Sequence, residues 1–187
     1  MTRWKADAQG RLMQAALDLF GERGFERTTV VEIAERAGLT ERTFFRYFAD
    51  KREVLFAGAS MLQDVVVQAV VDAPHSATPL DAAVAGIEAA SAVLQDGREL
   101  SRRRQAVINA NRELQERELI KLAALGTAIA DALRRRGVKD PSASLSAEMA
   151  IAVFKISFGR WVSQSGQREL RSIIRASLNE LKGVATS

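Results

Sequence analysis

No cysteine occurs among the 187 residues. That excludes a disulfide, a thiolate metal site and a cysteine nucleophile, and it fits a reducing cytoplasm. Histidine is nearly as scarce, since His75 is the only one and stands in the proline-bounded segment "DAPHSATP". A lone loop histidine suits a solvated side chain better than a catalytic base or a metal ligand. Acid–base and nucleophilic catalysis need a base held beside a nucleophile, or a paired carboxylate. The sequence also has no phosphate-binding glycine loop and no cluster with metal-ligand spacing. An enzyme is therefore the weakest reading, and no cofactor or metal is expected. Long apolar runs are missing as well. The N-terminal "MTRWKADAQGRLMQAALDLF" has no signal-peptide core, and charge or glycine breaks the later apolar segments before spanning length. The expectation is a cytoplasmic protein with no membrane partner.

Proline is limited to three residues, and no stretch sustains the apolar–polar alternation of a strand. The fold class this predicts is all-α, with about nine helices. Leu12, Ala16, Leu19 and Phe20 repeat at helical spacing, and the run closes at "GERG", where Gly24 can cap it. Thr29 lies three residues before Glu32, a capping-box spacing, and opens a short second helix whose stripe of Val30, Ile33, Ala34 and Ala37 ends at Gly38. Thr40 can cap a third helix through Phe48, and Asp50 with Glu53 suggests a fourth that carries Leu55 and Leu62. Beyond "DAPHSATP", helices are expected at about 80–95, 98–109 and 112–136, and after "GVKDPSAS" at about 145–165 and 167–183. The expected division is a small helix-turn-helix domain over 1–52 and a helical bundle over 53–187.

Charge decides little. The net charge is +4 and the sequence pI about 9.8, but residues 1–52 hold ten Lys/Arg against eight Asp/Glu and the remainder seventeen against fifteen. Each segment is +2, so the arrangement of residues has to carry the argument.

The informative stretch is "AGLTERTFFRYFADK", residues 37–51. At about 100° per residue, Phe44 and Phe48 fall together while Arg42, Thr43 and Arg46 fall on the far side. The aromatics can pack inward with the arginines outward. Helix two, the turn at Gly38 and helix three then form a helix-turn-helix whose second helix enters the major groove by its N-terminal residues. Arg42 is placed for a two-pronged bond to a guanine edge, and Thr40, Thr43 and Tyr47 can reach bases or phosphates. Spacing alone suits a small amphipathic helix with solvated arginines equally well.

The run "AALDLFGERGFERTTVVEIAERAGLTERTFFRYFADKREVLF" resembles the N-terminal DNA-binding domain of the TetR family of bacterial transcriptional regulators over about 45 residues. The framework matched is "LF..RGF..TTV..IA..AGLT..T...YF..K..L". The resemblance implies an all-α homodimer with a three-helix DNA-binding domain. It also implies a divergent C-terminal domain that binds a small ligand and dimerises through its last two long helices. By position, Thr29 resembles the family's phosphate-contacting threonine, Thr40 its cap on the recognition helix, Arg42 and Thr43 its base-reading residues, and Lys51 its phosphate-binding lysine. Phe45 departs from the tyrosine that many members carry, and Tyr47 stands where histidine is frequent. Arg3, Trp4, Lys5 and Arg11 are candidates for tail contacts to DNA, against the plainer reading of a solvated tail.

The C-terminal region offers two further sets. The apolar pocket wall is read from Ile108, Leu125, Phe154, Phe158 and Trp161, with Arg104 of the run Arg102–Arg104 as a possible partner for an acidic ligand group. Three adjacent arginines point in different directions on a helix, so a solvated face is the competing reading. The segment 145–165 is apolar nearly all round and must be covered on all sides. Met149, Val153 and Ile156 on it, with Leu170, Ile173, Ile174, Leu178 and Leu181 on the next helix, are the expected dimer seam. The expected function is a ligand-responsive transcriptional regulator, a repressor that a hydrophobic or acyl-bearing effector releases from a palindromic DNA operator, with helix four carrying the signal. The alternatives are a helical protein-interaction module without DNA binding and, more remotely, an enzyme.

Overall fold

The computed structural model describes residues 3–164 and 168–186, with the side chains of residues 8–164 and 168–185. The side chains of Arg3, Trp4 and Lys5, the proposed DNA-contacting tail, lie outside the described residues. Nine α-helices and two short 3-10 turns account for the described chain, and no strand is among them. The helices are α1 (Arg3–Arg23), α2 (Val30–Arg36), α3 (Glu41–Tyr47), α4 (Ala59–Asp72), α5 (Pro79–Leu94), α6 (Arg98–Asn109), α7 (Arg112–Arg135), α8 (Ser142–Ser163) and α9 (Leu170–Thr186). They form two compact units. The first is the chain up to Gly58 together with Arg103–Glu116, and the second is Ala59–Arg102 together with the chain from Arg117 onward. The boundary thus falls within α6 and again within α7.

In the first unit, Leu12, Ala16, Leu19 and Phe20 of α1 face Ile33 and Ala34 of α2 and Phe44 and Phe48 at α3 in one buried cluster. The α2 cap forms as a full capping box: the Thr29 hydroxyl accepts from the Glu32 N–H, and the Glu32 carboxylate accepts from the Thr29 N–H. Gly38 turns the chain between α2 and α3 at φ +65°, a conformation that costs glycine little. The expected fourth helix does not start at Asp50. Asp50 does cap a turn, accepting from the Arg52 and Glu53 N–H groups, but that turn is a single 3-10 element over Glu53–Phe56. Gly58 at φ +83° then breaks the chain before α4 begins at Ala59. The reason is packing: Val54, Leu55 and Phe56 all bury into the first unit's core, which one straight amphipathic helix could not achieve.

The same break bears on the membrane expectation. Glu53–Asp72 is long and apolar enough to cross a membrane by length and composition alone. It is interrupted at Gly58, and Val66 and Val70 of α4 are buried within the protein.

In the second unit α4 crosses α5 at a close approach, where a Cβ on Gly86 would stand 2.7 Å from Val70 Cγ2 and 2.8 Å from the Val66 carbonyl oxygen. Around this pair the core gathers Ile87 of α5, Ile129 and Leu133 of α7, Ala150, Phe154 and Trp161 of α8, and Leu170, Ile173 and Ile174 of α9. Arg136 ties down the loop after α4 by donating to the carbonyls of Val71 at 2.8 Å, Ala73 at 2.6 Å and Pro74 at 2.8 Å. Thr78 caps α5 through the Asp81 N–H, with Pro79 in the first turn.

The expected dimer seam needs correction here. Val153, Leu170, Ile173 and Ile174 are buried within a single chain, because α8 and α9 turn these faces inward on α5 and on each other, and they leave no surface for a partner. Leu178 and Leu181 are half-buried against the same core. Met149, half-buried, and Ile156, 57% exposed, lie on the outer side of α8.

Candidate nucleic-acid interface

α3 is anchored from beneath by aromatic packing. Phe44 is fully buried, its ring centroid 5.4 Å from that of Phe48 and 5.5 Å from that of Phe45. Its N-terminus is capped by Thr40, whose hydroxyl accepts from the Thr43 N–H at 3.2 Å and shares a hydrogen bond with the Thr43 hydroxyl at 3.0 Å. With the backbone fixed at both ends, the outer face carries Glu41, Arg42, Phe45 and Arg46, all exposed. Arg42 has no polar partner among the described residues, which leaves its five donors open. The Arg46 guanidinium lies 5.1 Å from the Tyr47 ring centroid, with a nitrogen 3.5 Å from the Tyr47 hydroxyl oxygen. This pairing orients two groups that can donate to an anion. Phe45, 52% exposed, offers the same face an apolar edge.

Thr29 stands at the start of α2, exposed, with its hydroxyl donating to the Glu32 carboxylate at 3.0 Å. The Glu32 carboxyl is held below the usual glutamate range, first by the Thr29 backbone N–H and then by its hydroxyl. Lys51 needs correction as a phosphate ligand. Its ammonium donates to the carbonyls of Phe25 at 2.8 Å, Glu26 at 3.1 Å and Thr28 at 3.0 Å. An ammonium has three donors, and all three are spent on the loop between α1 and α2.

Two of the expected pocket residues also fall elsewhere. Ile108 is fully buried in the first unit's core with Leu12 and Leu114. Arg104 donates to the Leu55 carbonyl and lies 5.1 Å from the Phe56 ring centroid. Both sit in the segment Arg103–Glu116 that belongs to the first unit, so neither lines a pocket of the second. Leu125, Phe154, Phe158 and Trp161 do lie together in the second unit's core cluster, with Phe158 partly buried against it. Sequence reasoning missed the fastenings of that inserted segment: Arg103 to Asp18 at 2.6 Å, and Arg52 to Glu113. Such pairs are far apart in sequence and no spacing rule reveals them. It also missed Gly86, which the small-residue run "AAVAGIEAASA" of α5 could have flagged.

Residues 12–57 match the family model of bacterial regulatory proteins, tetR family. The HTH-type transcriptional regulator TcmR of Streptomyces glaucescens is 37% identical over 87 residues, 46% of this chain and 38% of TcmR. An uncharacterized HTH-type transcriptional regulator of Mycobacterium tuberculosis, Rv2250c, is 33% identical over 89 residues, 48% of this chain and 46% of that protein. These matches thus span less than half of the curated relatives' length. Among solved structures, SmeT in complex with triclosan matches over 92% of this chain and 90% of its own, with a TM-score of 0.63 and 21% identity. SmeT is the repressor of the Stenotrophomonas maltophilia multidrug efflux pump SmeDEF. Thermus thermophilus FadR, a TetR family transcriptional repressor in complex with lauroyl-CoA, matches over 93% of each chain, with a TM-score of 0.52 and 25% identity.

Fold and site together define a helix-turn-helix domain similar to those of bacterial transcriptional regulators. It is the N-terminal segment, residues 12–57, that resembles the TetR family of bacterial regulatory proteins.

Proposed function

We propose that the protein is a repressor that binds a palindromic DNA operator as a homodimer and leaves it when a small hydrophobic or acyl-bearing effector occupies the second unit. The observation that carries the DNA reading is Arg42, exposed and without a polar partner among the described residues, on a helix whose inner face is locked by Phe44 and Phe48. An accessible guanidinium on an anchored helix, at the N-terminal end of α3, is what bidentate readout of guanine requires. Thr40, Thr43, Arg46 and Tyr47 flank it as backbone or base contacts, and Thr29 presents its hydroxyl from the start of α2. Lys51 supports the interface from behind by fixing the α1–α2 loop.

The effector reading draws on the two bound neighbours, one with triclosan and one with lauroyl-CoA. It also draws on the aromatic cluster of Phe154, Phe158 and Trp161. The segment Arg103–Glu116 makes a better carrier of the signal than helix four. It is covalently continuous with both units through α6 and α7, and Ile108 and Leu114 are fully buried in the first unit's core. Displacing such an element repacks a core, which favours two discrete states over gradual bending. For the homodimer, the outer stripe of α8, with Leu145, Met149, Ala152, Ile156 and Gly159, and the small exposed Ser172, Ala176 and Gly183 of α9 supply an apolar, close-packing surface.

Selection of bound duplexes from a random DNA pool, followed by gel retardation of the winners, tests the reading. An inverted repeat with half-sites about one turn, roughly 34–36 Å, apart is the expected result. Triclosan and lauroyl-CoA serve as the first effector probes, with release of the duplex as the readout. A protein that enriches no sequence and retains no duplex at low salt would sink the proposal.

A further inference from the structure

We infer that Trp161 and Ser157 form the polar contact of an effector site in the second unit, and that this site takes an uncharged, largely apolar molecule with a hydrogen-bond acceptor. The inference rests on the effector-binding reading above and narrows its ligand. Trp161 is fully buried, yet its indole Nε1–H has no acceptor among the described residues. Ser157, one turn earlier on the same face of α8, is also fully buried with an unpartnered hydroxyl. Ser177 on α9, which packs along α8, is the third such group. Nearly all buried polar groups in folded proteins are paired, so three orphans on two packed helices point to a missing partner. An indole N–H can only donate, which makes that partner an acceptor.

The surroundings define the rest of the molecule. The other polar capacity of Trp161 is already used, since Arg98 donates to its carbonyl from Nε at 3.0 Å and from Nη2 at 2.7 Å. The Arg98 guanidinium also lies 5.7 Å from the indole centroid. Phe158 stands 5.8 Å from Trp161 and 5.6 Å from Phe154 between ring centroids, a lining that favours flat rings. Among the described residues of the second unit the buried polar side chains are Ser91, Ser146, Ser157 and Ser177, none of them charged. Glu88, partly exposed on α5, is already matched by Arg171 and Arg175. The Arg98 guanidinium beside the indole already donates to the carbonyls of Trp161 and Gln164, so an ionised ligand group would have to compete for those donors and leave water for an otherwise apolar interior, which is costly. A phenol, ketone, quinone or ether on an aromatic body meets all these conditions.

Calorimetric titration of the intact protein with triclosan, menadione and lauroyl-CoA separates the ligand classes. At least one of the two uncharged aromatic probes should bind. Its affinity should fall about 5- to 10-fold when Ser157→Ala is made, or when Trp161 is replaced by 3-benzothienylalanine, which keeps the bicyclic shape without the N–H. Without ligand the benzothienyl protein should melt at the same or a higher temperature, because the donor removed had no acceptor. A clear drop in melting temperature would reveal a resident partner such as a buried water and overturn the assignment. So would binding of neither uncharged probe, or binding that both substitutions leave unchanged. If lauroyl-CoA releases a selected DNA duplex while both uncharged probes are inert, the regulator reading stands and this site falls. If no duplex is ever retained, the regulator reading falls and the titration still decides the site.

Discussion

The Lys51 ammonium stands 4.4 Å from the centroid of the Phe25 ring and donates to the carbonyl of that same residue at 2.8 Å. With Glu26 and Thr28 as its other acceptors, it closes the loop that leads into α2. Lys51→Met keeps the aliphatic stem over the ring and removes the donors. The partly exposed site should lose about 1–2 kcal/mol in urea unfolding. The salt dependence of DNA binding should hardly move. An unchanged unfolding midpoint with a salt slope smaller by about one would return Lys51 to a phosphate.

Arg42 should behave in the opposite way. Its side chain is exposed and makes no intramolecular polar contact among the described residues, so Arg42→Ala should leave thermal stability alone. Operator binding should weaken by about 1–3 kcal/mol, with preference relaxed at one base position. Retardation of duplexes mutated one base pair at a time would show it. Uniform weakening over all sequences would make Arg42 a backbone contact instead.

Gly86 permits the α4–α5 crossing. A methyl group there would press on the Val66 carbonyl, which belongs to helix backbone and cannot rotate away. Gly86→Ala should destabilise the protein by about 1–3 kcal/mol from overpacking, in spite of alanine's higher helix propensity. A gain in melting temperature would mean that α4 moves aside freely.

Glu88 links α5 to α9 by accepting from Arg175 Nε at 2.8 Å and from Arg171 Nε at 2.9 Å. Burial pushes its carboxyl up, but the hydrogen bonds from Arg175 and Arg171 outweigh that and hold it below its ordinary value. A carboxyl lowered in the folded state stabilises fully above its unfolded range and loses the effect as pH falls through the folded value. Glu88→Gln should therefore cost about 1 kcal/mol at neutral pH, a modest figure because both arginines are largely exposed. The difference from wild type should shrink as pH drops below the ordinary glutamate value and vanish only once pH has fallen through the lowered folded value. Denaturant titrations at neutral and acid pH check both halves, and a cost that persists in acid would assign it to packing.

The first unit was legible because its signals are local. Thr29 and Glu32 cap within three residues, Thr40 and Thr43 likewise, and Phe44 with Phe48 defines an inner face by helical period alone. What escaped depends on distance along the chain. Nothing near Ile108 or Arg104 marks them as partners of α1 or of the turn at Glu53–Phe56. Lys51 spent its charge on carbonyls 23 to 26 residues earlier, where no motif could point. The α8–α9 pair misled for a different reason. An apolar stripe reports that a face is covered, and the period cannot say whether the same chain or a second copy covers it.

That ambiguity yields a paired test of assembly. Ile174 of α9 is fully buried inside one chain, whereas Ile156 of α8 is 57% exposed on the outer stripe with Leu145, 59% exposed. Ile174→Glu would place a carboxylate in the core without a counter-charge, at a cost of several kcal/mol, and should unfold the second unit rather than merely separate the protomers. Ile156→Glu charges a surface that only a partner would cover. It should leave the helical circular-dichroism signal of the chain intact while shifting sedimentation from dimer to monomer, and operator binding should be lost with the dimer because two recognition helices must meet two half-sites. A folded, dimeric Ile174→Glu protein would show that α9 does not pack as described. A dimeric, operator-binding Ile156→Glu protein would move the homodimer contact away from the outer face of α8.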